Sequence, residues 1–196
     1  GLKEGGVDLL WLETISAPEE FKAAAEAFSH VELPWVGTMS FDTAGRTMMG
    51  TSPAAMVNLI SSIPNKPIAF GANCGTGASD LLRTVQDFAK CSPKSILIAK
   101  GNAGIPKYID GQIHYDGTPD LMAKYAIMAR NSGAKIIGGC CGTKTEHLLS
   151  MRAALESEVL GSIPSLEQVE LEIGPFSSQI RNETKKHTSR RRARGV

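Results

Sequence analysis

Short apolar runs rich in β-branched residues alternate along the chain with longer stretches in which apolar positions recur every three or four residues. The short runs suit buried strands and the longer spacing suits amphipathic helices. Their regular alternation is the pattern of βα units on a parallel sheet. Five units can be counted. Strand 7–13 leads to a helix over 18–28, where Pro18 can sit in the first turn. Strand 33–41 leads, through a loop bearing Gly and Met, to a helix after Ser52-Pro53. Strand 67–73 precedes a helix over 78–90. Strand 95–100 precedes a long surface loop through Tyr108, His114 and Tyr115, and then a helix after Thr118-Pro119. Strand 134–139 precedes a helix over 145–156. One short helix is expected over 165–171, and the folded part should end near Phe176, giving a domain over 1–176 and a tail over 177–196.

Five βα units fall short of a closed barrel, which has eight strands and about 250 residues. The opening Gly1-Leu2-Lys3-Glu4-Gly5-Gly6 reads as a helix end with a glycine cap running straight into a strand. The expectation is therefore an α/β fragment of a (βα)8 TIM barrel lacking about three N-terminal units. An open, doubly wound sheet of five strands, complete as it stands, fits the same pattern.

Charge and cysteine content narrow the chemistry. The formal net charge is +1, but Arg181, Lys185, Lys186, Arg190, Arg191, Arg192 and Arg194 oppose Glu183 alone, so the body is mildly acidic and the tail strongly basic. Such a body does not suit a nucleic-acid-binding domain, and the tail has too little apolar area to order itself. There is no run of roughly 18 apolar residues and no basic-then-apolar leader, so the expectation is a cytoplasmic protein without a membrane span. Four cysteines, two of them adjacent, do not make a disulfide framework. Cys91, at the far end of a helix, reads as an ordinary buried or half-buried thiol.

The other three cysteines sit at strand ends, the edge where βα proteins keep their sites. Gly138-Gly139-Cys140-Cys141-Gly142-Thr143 ends the last strand, and the flanking glycines relax the backbone enough to turn both sulfurs toward one point. Taken alone, the pair could hold a metal, pack as thiols or cycle as a redox couple. Phe70-Gly71-Ala72-Asn73-Cys74-Gly75-Thr76-Gly77 brings a third cysteine to the end of an earlier strand. Catalytic zinc takes three protein ligands and leaves a fourth position open. A zinc held by three thiolates polarises water poorly and suits a thiolate substrate that is to be alkylated. Glu13 ends the first strand at the same mouth, where it would need a cation such as a substrate ammonium. A solvated glutamate is the plainer alternative. Asp42 is explained equally well by a turn into Thr43-Ala44-Gly45.

With the Asn-Cys and Gly-Gly-Cys-Cys-Gly segments in place, residues 1–157 resemble the homocysteine S-methyltransferase family, which includes betaine–homocysteine methyltransferases and the homocysteine-binding module of cobalamin-dependent methionine synthase. The resemblance implies a zinc-containing barrel with Cys74, Cys140 and Cys141 as Zn2+ ligands, and Glu13 and Asn73 in substrate binding. It implies methyl transfer to the homocysteine thiol, giving methionine, with homocysteine and a small donor as partners. A homo-oligomer is compatible with it. Leu12-Glu13-Thr14 and the loop Asp42-Thr43-Ala44-Gly45-Arg46-Thr47-Met48-Met49-Gly50 look most like the bacterial betaine-type branch, with betaine or a related onium compound as donor. The module of methionine synthase and a non-catalytic thiol or metal module remain the alternatives. The family's first strands, with an Asp-Gly turn for homocysteine, have no counterpart here, which leaves the activity of this stretch by itself open.

Overall fold

The computed structural model describes residues 1–42 and 44–178. The basic residues from Arg181 onward, and the tail expected there, lie outside the described residues. Seven strands and six helices follow in chain order among the described residues. The strands are β1 (Leu10–Ile15), β2 (Trp35–Met39), β3 (Ala69–Cys74), β4 (Leu97–Gly101), β5 (Pro106–Ile109), β6 (Gln112–Tyr115) and β7 (Ala134–Gly139). The helices are α1 (Pro18–Ser29), α2 (Pro53–Ser62), α3 (Ala78–Cys91), α4 (Pro119–Asn131), α5 (Thr145–Ser157) and α6 (Leu166–Glu172).

Several helices start where local chemistry dictates. Ser52 and Thr118 each accept a hydrogen bond from a first-turn N–H, at 3.2 Å from Ala55 and 3.2 Å from Leu121, with a proline in the position that has no N–H to lose. Ser165 and Gln168 form a reciprocal cap on α6.

The main sheet is parallel throughout, in the order β1-β2-β3-β4-β7. Its strands lie side by side in chain order, each followed by a helix. A doubly wound sheet would reverse its order at a switch point. This one does not, and the architecture is five consecutive units of a (βα)8 barrel.

Alternate residues face two compartments. One side meets the helices: Trp35 packs between Phe21 and Phe28, each with ring centroids 5.4 Å away, and Phe88 packs edge-on against Phe41 and Phe70. The other side lines the bore, where Val36, Ala69 and Ile98 form a small separate cluster with Leu9 and Ile136. Gly71 belongs to this tight layer, because a Cβ there would overlap the Ile98 carbonyl.

The segment after β4 departs from the expected surface loop. β5 and β6 form an antiparallel hairpin with Tyr108 opposite Ile113 and Ile109 opposite Gln112. Asp110 and Gly111 turn it with φ of 49° and 81°, which is the left-handed pair a two-residue hairpin turn requires. Cys91 is also corrected: it ends α3 as an exposed thiol, in a last turn whose final buried residue is Phe88 and where Lys90 is exposed as well. No described helix is long and apolar enough to cross a membrane.

A candidate metal centre at the sheet's C-terminal edge

β3 and β7 each end in a cysteine-bearing turn, with β4 between them. Cys74 is itself left-handed (φ 60°) and is followed by Gly75 (φ 72°), so the chain reverses sharply as the strand ends. The Cys140-Cys141 turn closes on Gly142 (φ 76°). Together the turns bring the sulfurs of Cys74, Cys140 and Cys141 within 4.8 Å of one another, with Cys74 and Cys141 3.8 Å apart. A disulfide would need about 2.05 Å. Ligand atoms on a tetrahedron with metal–sulfur arms of about 2.3 Å lie roughly 3.8 Å apart. The three side chains therefore have the chemistry of a thiolate-rich metal site, and the Cys74–Cys141 separation is that of two ligands on one tetrahedral ion. Without a metal, Cys74 is costly to ionise: burial first, and then the charge of Cys140, push its thiol up to about 12.

Asn102, almost fully buried, ties the two turns together. Its Nδ2 donates to the Gly75 carbonyl at 3.0 Å, and its Oδ1 accepts from the Cys141 N–H at 3.1 Å. The vicinal pair is further held by backbone: Cys140 N–H donates to Gly101 at 2.8 Å, Ala103 N–H to Cys141 at 2.9 Å and Thr143 N–H to Cys140 at 3.1 Å. Beyond the pairing of Cys74 with Gly101, the Cys74 turn is held by side chains. Thr76 Oγ1 lies 3.1 Å from Asp80 Oδ2, Asp80 pairs with Arg83, and Asp80 also accepts the Ser177 N–H at 2.9 Å. Arg83 donates to the Ser178 carbonyl at 3.0 Å and lies over the Phe176 ring. Ser177 and Ser178, expected in the tail, are thus part of a strap across the start of α3.

Asn73, placed in substrate binding by the sequence, is fully buried and engaged. Its Oδ1 accepts from Thr14 N–H at 2.9 Å and Thr38 Oγ1 at 2.7 Å, while its Nδ2 donates to Thr14 Oγ1 at 2.7 Å and, weakly, toward Cys140 Sγ at 3.7 Å. Glu13 lies on β1, and Lys100 of β4 forms an ion pair with it. The Lys100 ammonium also sits 4.9 Å from the Trp11 ring centroid. Tyr115, at the root of the hairpin, packs its ring against Gly142, where a Cβ would overlap it. Burial and then a hydrogen bond with Cys141 raise its hydroxyl above the ordinary tyrosine value. Asp42 contributes its carbonyl, which accepts from Thr76 Oγ1 at 3.3 Å.

Lys100, Asn102 and the Asp80–Arg83 pair escaped the sequence reading. Lys100 ends an apolar run and reads as a strand-edge charge, while Asp80 and Arg83 read as solvated helix positions. For the hairpin, by contrast, a local signal was present in Asp110-Gly111.

Known structures share this architecture. The chain superposes on the homocysteine methyltransferase MmuM from Escherichia coli in its apo form with a TM-score of 0.63 and 23% identity, over 78% of this chain and 51% of that one. The metallated form gives 0.62 and 23%, over 78% and 46%. The oxidised form gives 0.61 and 24%, over 78% and 47%. The chain thus spans about half the length of these relatives. At this identity the likeness speaks for the fold. A family model described as homocysteine S-methyltransferase matches residues 1–155, which include all three clustered cysteines, Glu13 and Asn73, and on that match the chain belongs to the homocysteine S-methyltransferase family.

Proposed function

We propose that this chain is the thiol-activating part of a zinc-dependent enzyme that transfers a methyl group to homocysteine, giving methionine. The observation that carries the reading is the convergence of three sulfurs, from turns 67 residues apart in sequence, to within 4.8 Å of one another, a donor set that leaves the fourth position of a tetrahedral ion to the substrate. Cys74, Cys140 and Cys141 would hold the zinc. When bound, zinc supplies a lowered thiol pKa while leaving the substrate sulfur nucleophilic.

The protein's own residues account for the rest. Asn102 sets the separation of the two cysteine turns, and Asn73 fixes the backbone at Thr14, beside Glu13. Glu13 receives the substrate ammonium, and the sulfur is thereby aimed at the open face. Its thiolate attacks a methyl carried on a positively charged nitrogen or sulfur. A carbon–sulfur bond forms as the bond from methyl to the onium atom breaks, and that atom leaves neutral with the electron pair. Alignment of the two reactants supplies most of what the protein adds beyond thiolate formation. The loop from Asp42 to Gly50 supports betaine or a related onium compound as donor.

The test is zinc-edge X-ray absorption on the zinc-loaded protein, with and without homocysteine. Three sulfur neighbours should become four, and Cys74→Ala should drop bound zinc from one equivalent to a small fraction. A Cys74→Ala protein with stoichiometric zinc, or a first shell that homocysteine leaves unchanged, overturns the proposal.

A further inference from the structure

The Glu13 carboxylate already has a cation. Lys100 projects from β4 into the bore and pairs with it, and the two groups are only partly screened, their side chains being 22% and 36% exposed. Lys100 is opposite Asn73 on one side and Gly138 on the other, and Gly101, the next residue, is opposite Cys74. The Lys100 backbone therefore lies one residue, roughly 3.3 Å of strand, below that of the residue opposite Cys74. The lysine stem runs beside Gly138, where a Cβ would stand in ordinary contact with it, 3.5 Å from Lys100 Cγ and 3.9 Å from Cε. Trp11 makes an aromatic floor beneath the ammonium.

We infer that Lys100 and Glu13 act together as a receptor for the zwitterionic end of an α-amino acid, with Lys100 taking the substrate carboxylate while Glu13 takes the ammonium. This rests on the homocysteine reading above. An ammonium arriving alone would have to displace Lys100 from Glu13 and would leave one cation unpaired. A zwitterion brings both charges, so each partner of the ion pair exchanges one opposite charge for another and none is stranded. Until substrate arrives, the ion pair holds the Glu13 carboxylate in place. Lys100 is thus a specificity-determining residue that selects for the carboxylate, which Glu13 cannot do.

The test compares three thiols on the zinc-loaded protein by calorimetry: homocysteine, 3-aminopropanethiol, which lacks the carboxylate, and 4-mercaptobutanoate, which lacks the ammonium. Lys100→Met should weaken homocysteine and 4-mercaptobutanoate by about tenfold or more, the usual scale of a lost charge-assisted hydrogen bond, and leave 3-aminopropanethiol equal or tighter. Glu13→Gln should show the reverse selectivity, and Lys100→Arg should restore most of the lost affinity. Trp11 fluorescence should change when homocysteine draws the ammonium off its ring, and stay unresponsive to homocysteine in Lys100→Met. Equal weakening of all three thiols would assign Lys100 a purely structural role, and tighter homocysteine binding in Lys100→Met would make it a competitor for Glu13. Either result overturns the inference while leaving the homocysteine reading standing. Failure of the unaltered protein to bind homocysteine removes both. Should Lys100→Met fold poorly, Lys100→Gln carries the same comparison.

Discussion

The two cysteine turns end strands of one sheet and meet at one point, yet they are held by different means. The Cys140-Cys141 turn is fastened by backbone bonds to Gly101 and Ala103 on the neighbouring strand and its exit, so the sheet itself organises it. The Cys74 turn, whose Cys74 still pairs with Gly101, reverses through two left-handed residues and beyond that pairing is held by remote side chains: Thr76, the buried Asp80–Arg83 pair, and the strap over 174–178. A ligand turn built from backbone pairing is as stable as the sheet. One built from a buried polar hub is only as stable as that hub.

The contrast is broken most strongly at Asp80. Asp80→Ala leaves the Arg83 guanidinium, only 7% exposed, without its partner, and breaking a buried pair in this way costs about 3–5 kcal/mol. Denaturant unfolding should register that loss. In the metal-free protein, Cys74 should then be alkylated faster while the rates at Cys140 and Cys141 hold. An equal acceleration at all three would mean that the turns are supported in common.

Asn102 sharpens the comparison because it touches both turns. Asn102→Ala strands the Gly75 carbonyl and the Cys141 N–H, at about 1–3 kcal/mol for each orphaned group. Asn102→Asp keeps the acceptor for Cys141 and loses the donor to Gly75, so zinc affinity should fall less and the added mobility should be confined to the Cys74 turn. Hydrogen exchange at Gly75 and Cys141 distinguishes the two variants.

The smallest effect is in pH. Because burial and Cys140 raise the Cys74 thiol to about 12, this group is protonated in the metal-free protein at neutral pH and must release its proton on metal uptake. Zinc affinity should therefore rise with pH between 6 and 8, by about tenfold per unit for each proton released, as read in a competition titration. A flat profile would show that Cys74 is ionised beforehand or not a ligand.

Much of the scaffold was legible in the residues. β7 and the start of α3 lie where hydrophobic runs and a Gly-bounded turn placed them, and the other main-sheet strands overlap their expected runs with shifted ends. These features are local: a buried strand or a capped helix announces itself within about ten residues. The antiparallel hairpin was also local, but Ile109 and Ile113 are exposed and its runs are too short to stand out from a polar loop. Lys100 could not be read at all. Its partner lies 87 residues away, and nothing near it in the chain says that a charge at a strand end turns into the bore. The same holds for Asp80 and Arg83, whose burial depends on Phe176 to Ser178 folding back over them.

The sequence by itself determined the βα rhythm, the three cysteines at strand ends, and the glycines that let those strands turn, because each depends on residue type within a short window. Only the tertiary structure decided that the three sulfurs share one point, that Lys100 pairs with Glu13, and that the strap grips the first turn of α3. These are relations between side chains distant in sequence, and they exist only once the curved sheet has brought its strand ends together.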